Sequence, residues 1–135
     1  MFRQGFIFKS NRGVVITMLG DVMIDNVYLA CCATDFRKSI DGLAIIIQES
    51  FNLDPFSRCL FVFSNRNKDK IKILEWENDG FWLHYKRLEK GKFKWPSSRE
   101  GETLNISQRQ LRWLLDGLAL EQKQAHKSVK ERMII

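Results

Sequence analysis

The chain has 135 residues, 44% of them hydrophobic, which is room for one compact domain with a core and too little for two. No apolar run approaches the roughly 20 residues of a membrane-spanning helix, and Cys31, Cys32 and Cys59 with His84 and His126 supply neither a disulfide framework nor a usual Cys/His zinc site. A formal charge of +6 and a sequence pI near 9.4 favour attraction to polyanions, although Arg3, Lys9 and Arg12, with no acid among residues 1–17, account for half of that excess.

Residues 1–17 lack a continuous apolar stretch before a small-residue cleavage site, so they read as an N-terminal extension rather than a signal peptide. The run from Asn26 to Cys31 is β-prone, and Thr34-Asp35 after it favour a helix N-cap. Phe36, Ile40, Leu43, Ala44, Ile47 and Phe51 then fall at i, i+4, i+7, i+8, i+11 and i+15, which predicts one amphipathic helix over 35–51, ended by Asn52 and Asp54-Pro55. Cys59 to Phe63 is an unbroken apolar run, the signature of a strand covered on both faces. A polar turn from Ser64 to Asp69 leads to a strand over 70–77, and Asp79-Gly80 predicts a hairpin into a strand over 81–88. With Asp79-Gly80 as a two-residue turn, Trp76 faces Leu83, Leu74 faces Tyr85 and Lys72 faces Arg87 on the core side. The other side pairs Glu77 with Trp82, Glu75 with His84 and Ile73 with Lys86, a half-exposed surface. Gly91 marks a second turn into a short Phe93–Trp95 strand that Pro96 stops, and Ser97 to Thr103 is a polar loop. Ser107-x-x-Gln110 is a capping-box pattern, and Leu111, Leu114, Leu115 and Leu118 behind it predict a second helix. The expected organisation is an extension over 1–17, a single α+β domain over 18–120 and a polar tail over 121–135. Its fold is a mainly antiparallel sheet with the long amphipathic helix on one face and a second, C-terminal helix.

The strings VYLACCATDFRKSIDGLA, LDPFS, LFVF, DGFWLHYKRLEKGKFKWP and RWLLDGL together resemble one family. The combination of Asp35-x-Arg37-Lys38, Asp41-Gly42-Leu43, Asp54-Pro55-Phe56 and Tyr85-Lys86-Arg87-Leu88 is similar to TnpB, the small accessory protein encoded by the second reading frame of bacterial insertion sequences of the IS66 family. The resemblance runs from about Met18 to His126. It implies a protein encoded beside a separate, larger transposase that carries an acidic catalytic triad, and a role assisting transposition. The chain departs from the family pattern at Cys32, where Gly is usual, and at Asn67, which replaces a basic residue in a turn that the family makes richer in Arg.

The basic residues cluster around the hairpin: Arg66, Lys68, Lys70 and Lys72 before it, then Lys86, Arg87, Lys90, Lys92 and Lys94 after it. Like charges brought opposite one another in a hairpin are destabilising unless an anion separates them, and a phosphate would do so. Trp82, Tyr85, Phe93 and Trp95 interleave with these charges in the way that single-strand binders stack bases, the plainer alternative being a core of aromatics with a solvated rim of lysines. Arg37 and Lys38 in the first turn of a helix oppose its dipole and so call for an anionic partner, phosphate or carboxylate. A metal nuclease needs two or three converging acids, whereas Asp35 is explained as a cap, Asp54 as a turn residue before Pro55, Asp79 as a hairpin residue and Glu89 as a turn flank, leaving only Asp41 without a local role.

The sequence is accordingly read as a cytoplasmic, non-enzymatic accessory protein without metal or cofactor, membrane or small-molecule substrate. It binds DNA of the insertion-sequence ends through Arg37, Lys38, Arg66, Lys68, Lys70, Lys72, Lys86, Arg87, Lys90, Lys92, Lys94 and Trp95. The alternative is an interaction module that docks on the transposase through the hairpin strand or the helix bearing Trp113, with little DNA binding of its own.

Overall fold

A run as apolar as Cys59 to Phe63 needs cover on both faces and strand partners on both edges. In the computed structural model, which describes residues 24–96 and 103–122, it has both. Strand β2 (Cys59–Ser64) is buried throughout and is the central strand of a five-stranded sheet of order β4-β3-β2-β1-β5. β1 (Asn26–Ala30) lies parallel to β2, and β3 (Lys70–Glu77) lies antiparallel on its other side. β4 (Gly80–Arg87) forms the hairpin with β3, and β5 (Thr103–Ile106) pairs antiparallel with β1. Three of its four pairings are antiparallel, as expected, and the parallel β1–β2 pair makes the sheet mixed. The chain passes from β1 to β2 through a helical crossover, and a crossover brings the second strand back in the same direction.

That crossover helix, α1, is short: six α-helical residues (Ile40–Ile45) run on into five in π-helical form (Ile46–Ser50). The long amphipathic helix expected over 35–51 does not exist, and the reason is local. The Asp35 carboxylate accepts from the Arg37 backbone N–H at 3.0 Å and Lys38 N–H donates to the Asp35 carbonyl at 3.0 Å, closing a turn. Lys72 Nζ then takes the carbonyls of Phe36 and Lys38 at 3.0 and 2.9 Å, acceptors that a helix through this segment would have used itself. Helical bonding starts only at Leu43 N–H to Ser39 O. At the other end Asn52 takes the left-handed conformation (φ 57°) and Leu53 N–H closes on Ile47 O, as an Asn beyond a helix end readily does.

Leu43 and Ile47 of α1 pack on Phe61, Phe63, Leu74 and Leu83, the side chains of β2, β3 and β4 that point to one face. The alternate residues Leu60, Val62, Ile71 and Ile73 point to the other face and meet Leu111, Leu114 and Leu115 of α2 (Gln108–Leu115). Two helices thus sandwich the sheet. The second face, expected to be half-exposed, is covered: Glu75 and His84 on it are 3% and 1% exposed and bonded to each other at 2.8 Å, diagonally across the hairpin.

The capping box forms as read from the sequence, with Gln110 N–H on Ser107 Oγ and Ser107 N–H on Gln110 Oε1. Gly117 (φ 87°) ends the helix, with Gly117 N–H on Leu114 O and Leu118 N–H on Trp113 O, so Leu118 lies beyond the helix and not on its stripe. The hairpin turn is Asn78-Asp79 rather than Asp79-Gly80, because Asn78 accepts the left-handed conformation (φ 46°). Each cross-strand partner moves by two residues, so Leu74 faces Leu83 and Lys72 faces Tyr85, and every side chain keeps its expected face. The edge strand β5 was not foreseen, and Phe93–Trp95 is not a strand. The extension 1–17, most of the Ser97 to Thr103 loop and the tail beyond residue 122 lie outside the described residues. No helix among the described residues is long and apolar enough to cross a membrane.

Candidate nucleic-acid interface

Because β1 and β2 run parallel, their C-terminal ends open on the same end of the sheet, the place where crossover-connected sheets gather ligands. Thr34 N–H donates to Ser64 O at 2.8 Å and fixes the loop after β1 beside the turn after β2. That turn is held by Asn65, whose Oδ1 accepts from the N–H groups of Asp69 and Lys70 at 3.1 and 3.0 Å and whose Nδ2 donates to Asp69 Oδ1 at 2.6 Å. Lys68 within it takes a positive φ of 60°.

A strap over 88–96 then crosses this end of the sheet. Leu88 N–H donates to Asp69 O, Phe93 N–H to Lys68 O and Trp95 Nε1 to Ala30 O, at 2.8, 2.8 and 2.9 Å. Phe93 is buried and Trp95 packs against the α2-side core, which turns Lys92 and Lys94 between and beside them to solvent. Turn and strap bring Arg66, Lys68, Lys70, Arg87, Lys90, Lys92 and Lys94 to one end, with Asp69 and Glu89 as the carboxylates among them. Asp69 is engaged by Asn65, and Glu89 accepts from Arg87 at 2.9 and 3.0 Å. Lys70 stands directly opposite Arg87 in the ladder, a like-charge pair in place of the Lys72–Arg87 pair expected from the sequence, and Glu89 offsets part of its repulsion.

Arg37 and Lys38 sit at the same end on the α1 side, both exposed. Arg37 forks onto Asp35, with contacts of 2.8 to 3.2 Å, and this guanidinium holds the Asp35 carboxyl well below the usual carboxylate range. The partner that the sequence demanded for Arg37 is thus a carboxylate two residues away. Lys72 and Lys86 do not join the cluster. Lys72 turns to the α1 face to hold the Phe36 and Lys38 carbonyls, and Lys86 turns to the opposite face to hold Leu115 O at 2.8 Å, the last carbonyl of α2. Burial lowers the pKa of both ammonium groups. The aromatics are committed as well: Trp82 Nε1 donates to Glu77 at 2.7 Å, Tyr85 lies across from Lys72, and Trp95 faces the core with Lys68 Nζ 6.0 Å from its ring. These three rings are half-buried, whereas Arg66, Arg87, Lys90, Lys92 and Lys94 are exposed.

Sequence reading missed Asn65, although an Asn four residues before an Asp in a tight polar turn is a legible signal for such a staple. Among the described residues no three His, Cys, Asp or Glu side chains group to hold a metal ion.

The family model for the IS66 Orf2-like protein matches residues 25–125. The chain belongs to this family. It is 39% identical over 92 residues, 68% of its length and 79% of the relative's, to an uncharacterized protein, y4hO, of Sinorhizobium fredii. It is 30% identical over 101 residues, 75% and 86% of the two chains, to a second uncharacterized protein of that organism, y4jC. No solved structure matches the chain. Membership gives the protein an accessory role in the transposition of an insertion sequence. The matched segment begins at β1 and includes every element of the sheet and both helices.

Proposed function

We propose that this accessory protein grips the phosphate backbone of the element's DNA with the cationic end of its sheet. The observation that carries the reading is the strap: Phe93 and Trp95 are anchored inward and Lys90, Lys92 and Lys94 are held outward beside Arg66, Lys68 and Lys70, with the nearby carboxylates already engaged. Ammonium groups on a fixed rim suit the regular phosphates of a duplex, and the committed aromatics leave single strands without a stacking platform. Phosphate contacts position a protein without reading sequence, so choice of the element's ends falls to a partner, for which the element's transposase is the candidate. Fluorescence anisotropy with labelled terminal duplex, an unrelated duplex and a single strand of equal length tests this. The two duplexes should bind alike and more tightly than the single strand, and the Lys90→Glu, Lys92→Glu, Lys94→Glu triple variant should lose about a hundredfold in affinity. Preference for the single strand, or an unchanged affinity in the triple variant, contradicts the proposal.

A further inference from the structure

Two guanidinium groups at the cationic end are each held by a carboxylate two residues away, and the two pairs are built differently. Asp35 meets Arg37 with both oxygens, and its Oδ1 also accepts the Arg37 backbone N–H that closes the turn before α1. That carboxylate is part of the fold. Glu89 meets Arg87 with Oε2 alone, which accepts from Nε at 3.0 Å and from Nη2 at 2.9 Å. Among the described residues the Glu89 carboxylate holds no backbone N–H, and Nη1 of Arg87 has no acceptor. The two side chains are 78% and 56% exposed. An exposed pair of this kind is weak, so another anion of the same fit can replace the carboxylate. An anion is nevertheless wanted here, because Lys70 stands opposite Arg87 in the ladder and the two charges repel. The bond from Leu88 N–H to Asp69 O fixes the root of the strap, and Glu89 is followed at once by Lys90, Gly91 (φ 84°) and Lys92. The carboxylate and the strap lysines therefore leave the chain within four residues of one another.

We propose that Glu89 is a tethered stand-in for one backbone phosphate, occupying Arg87 until a phosphate brought up by the strap lysines displaces it; this rests on duplex binding at the same end. A guanidinium forks onto carboxylate and phosphate alike, so the exchange is between equivalent partners. Attachment two residues away gives the carboxylate a high effective concentration at Arg87, which a free anion does not have. A phosphate in a strand already gripped by Lys90, Lys92 and Lys94 has the same advantage, so Arg87 opens to a continuous polyanion and stays closed to single phosphates.

The test is a cycle of four full-length proteins, the wild type, Glu89→Gln, Arg87→Met and the double variant, titrated with labelled duplex over a range of salt. Glu89→Gln keeps the shape of the side chain and removes its charge. It should tighten duplex binding about fivefold and steepen the slope of log K against log salt by about 0.9, the share of one phosphate contact. In the Arg87→Met background the same substitution should change affinity by less than about twofold, because the group that Glu89 occupies is gone. Asp79→Asn removes an equal charge from the other end of the hairpin and should leave affinity within about twofold of the wild type, since salt screens charges that far apart. An unchanged affinity in Glu89→Gln, an equal gain in the Arg87→Met background, or an equal gain from Asp79→Asn overturns the inference while leaving duplex binding itself intact. Wild-type binding that ignores salt overturns the DNA proposal, and this inference with it.

Discussion

Lys72 and Lys86, inside the hairpin, and Lys90, Lys92 and Lys94, on the strap that follows it, belong to one basic run in the sequence and to two regions of the molecule. The first pair points to opposite faces of the sheet, and each ammonium ends on backbone carbonyls, Phe36 and Lys38 O for one and Leu115 O for the other. The strap lysines end in solvent because Phe93 and Trp95 have taken the inward positions between them. Charge density along a chain therefore overstates an interface. A lysine with carbonyl acceptors within its reach becomes a strut, and only the remainder is available to a ligand.

The buried and solvated lysines differ most in stability at Lys72. Lys72→Met keeps the stem and removes the donor, leaving two carbonyls without their partner and freeing the turn before α1. We expect a loss of about 1–3 kcal/mol in denaturant unfolding, with no change in DNA affinity for the folded fraction. Lys86→Ala removes one bond and a charge that complements the C-terminal end of α2, for a smaller loss of about 1 kcal/mol. Lys92→Ala should stay within about 0.5 kcal/mol of the wild type, as a solvated surface change does, while lowering DNA affinity. A Lys92 variant that unfolds easily beside an unaffected Lys72 variant would reverse the assignment.

The two groups of lysines also respond differently to pH. Burial lowers the pKa of Lys72 and Lys86, so as pH rises toward the ordinary lysine value of 10.5 the native state sheds these protons before the unfolded chain does. The unfolded state then binds more protons, and their contribution to stability increases with pH over that interval and is flat below the lowered values. Urea titrations should show the wild type gaining stability relative to Lys72→Met across this alkaline window, and the strap variants should show no such divergence.

Much of this was legible in the residues. The two-sided burial of β2 followed from an apolar run with no polar alternation, and the capping box at Ser107 from its spacing. The face of every hairpin side chain followed from period-two alternation, which survives a turn displaced by one residue because partners then move by two. The length of α1 was not legible, because the apolar stripe from Phe36 continues through a segment whose carbonyls are taken by Lys72, 34 residues later. A tertiary contact there overrides local periodicity. β5 was missed for a related reason: Thr103–Ile106 is four residues long and becomes a strand only beside β1. At the candidate interface the basic residues were found by composition, but their sorting into struts and free cations depends on which acceptors the fold brings near.

Whether the sheet end carrying the strap holds DNA is read from the salt dependence of duplex binding. Each phosphate contact contributes about 0.9 to the slope of log K against log salt on duplex DNA. The Lys90→Ala, Lys92→Ala, Lys94→Ala variant should therefore bind with a slope shallower than that of the wild type by about 2.7, and Lys72→Met should keep the wild-type slope. Equal slopes for wild type and triple variant, or a slope lowered as much by Lys72→Met, would contradict the account.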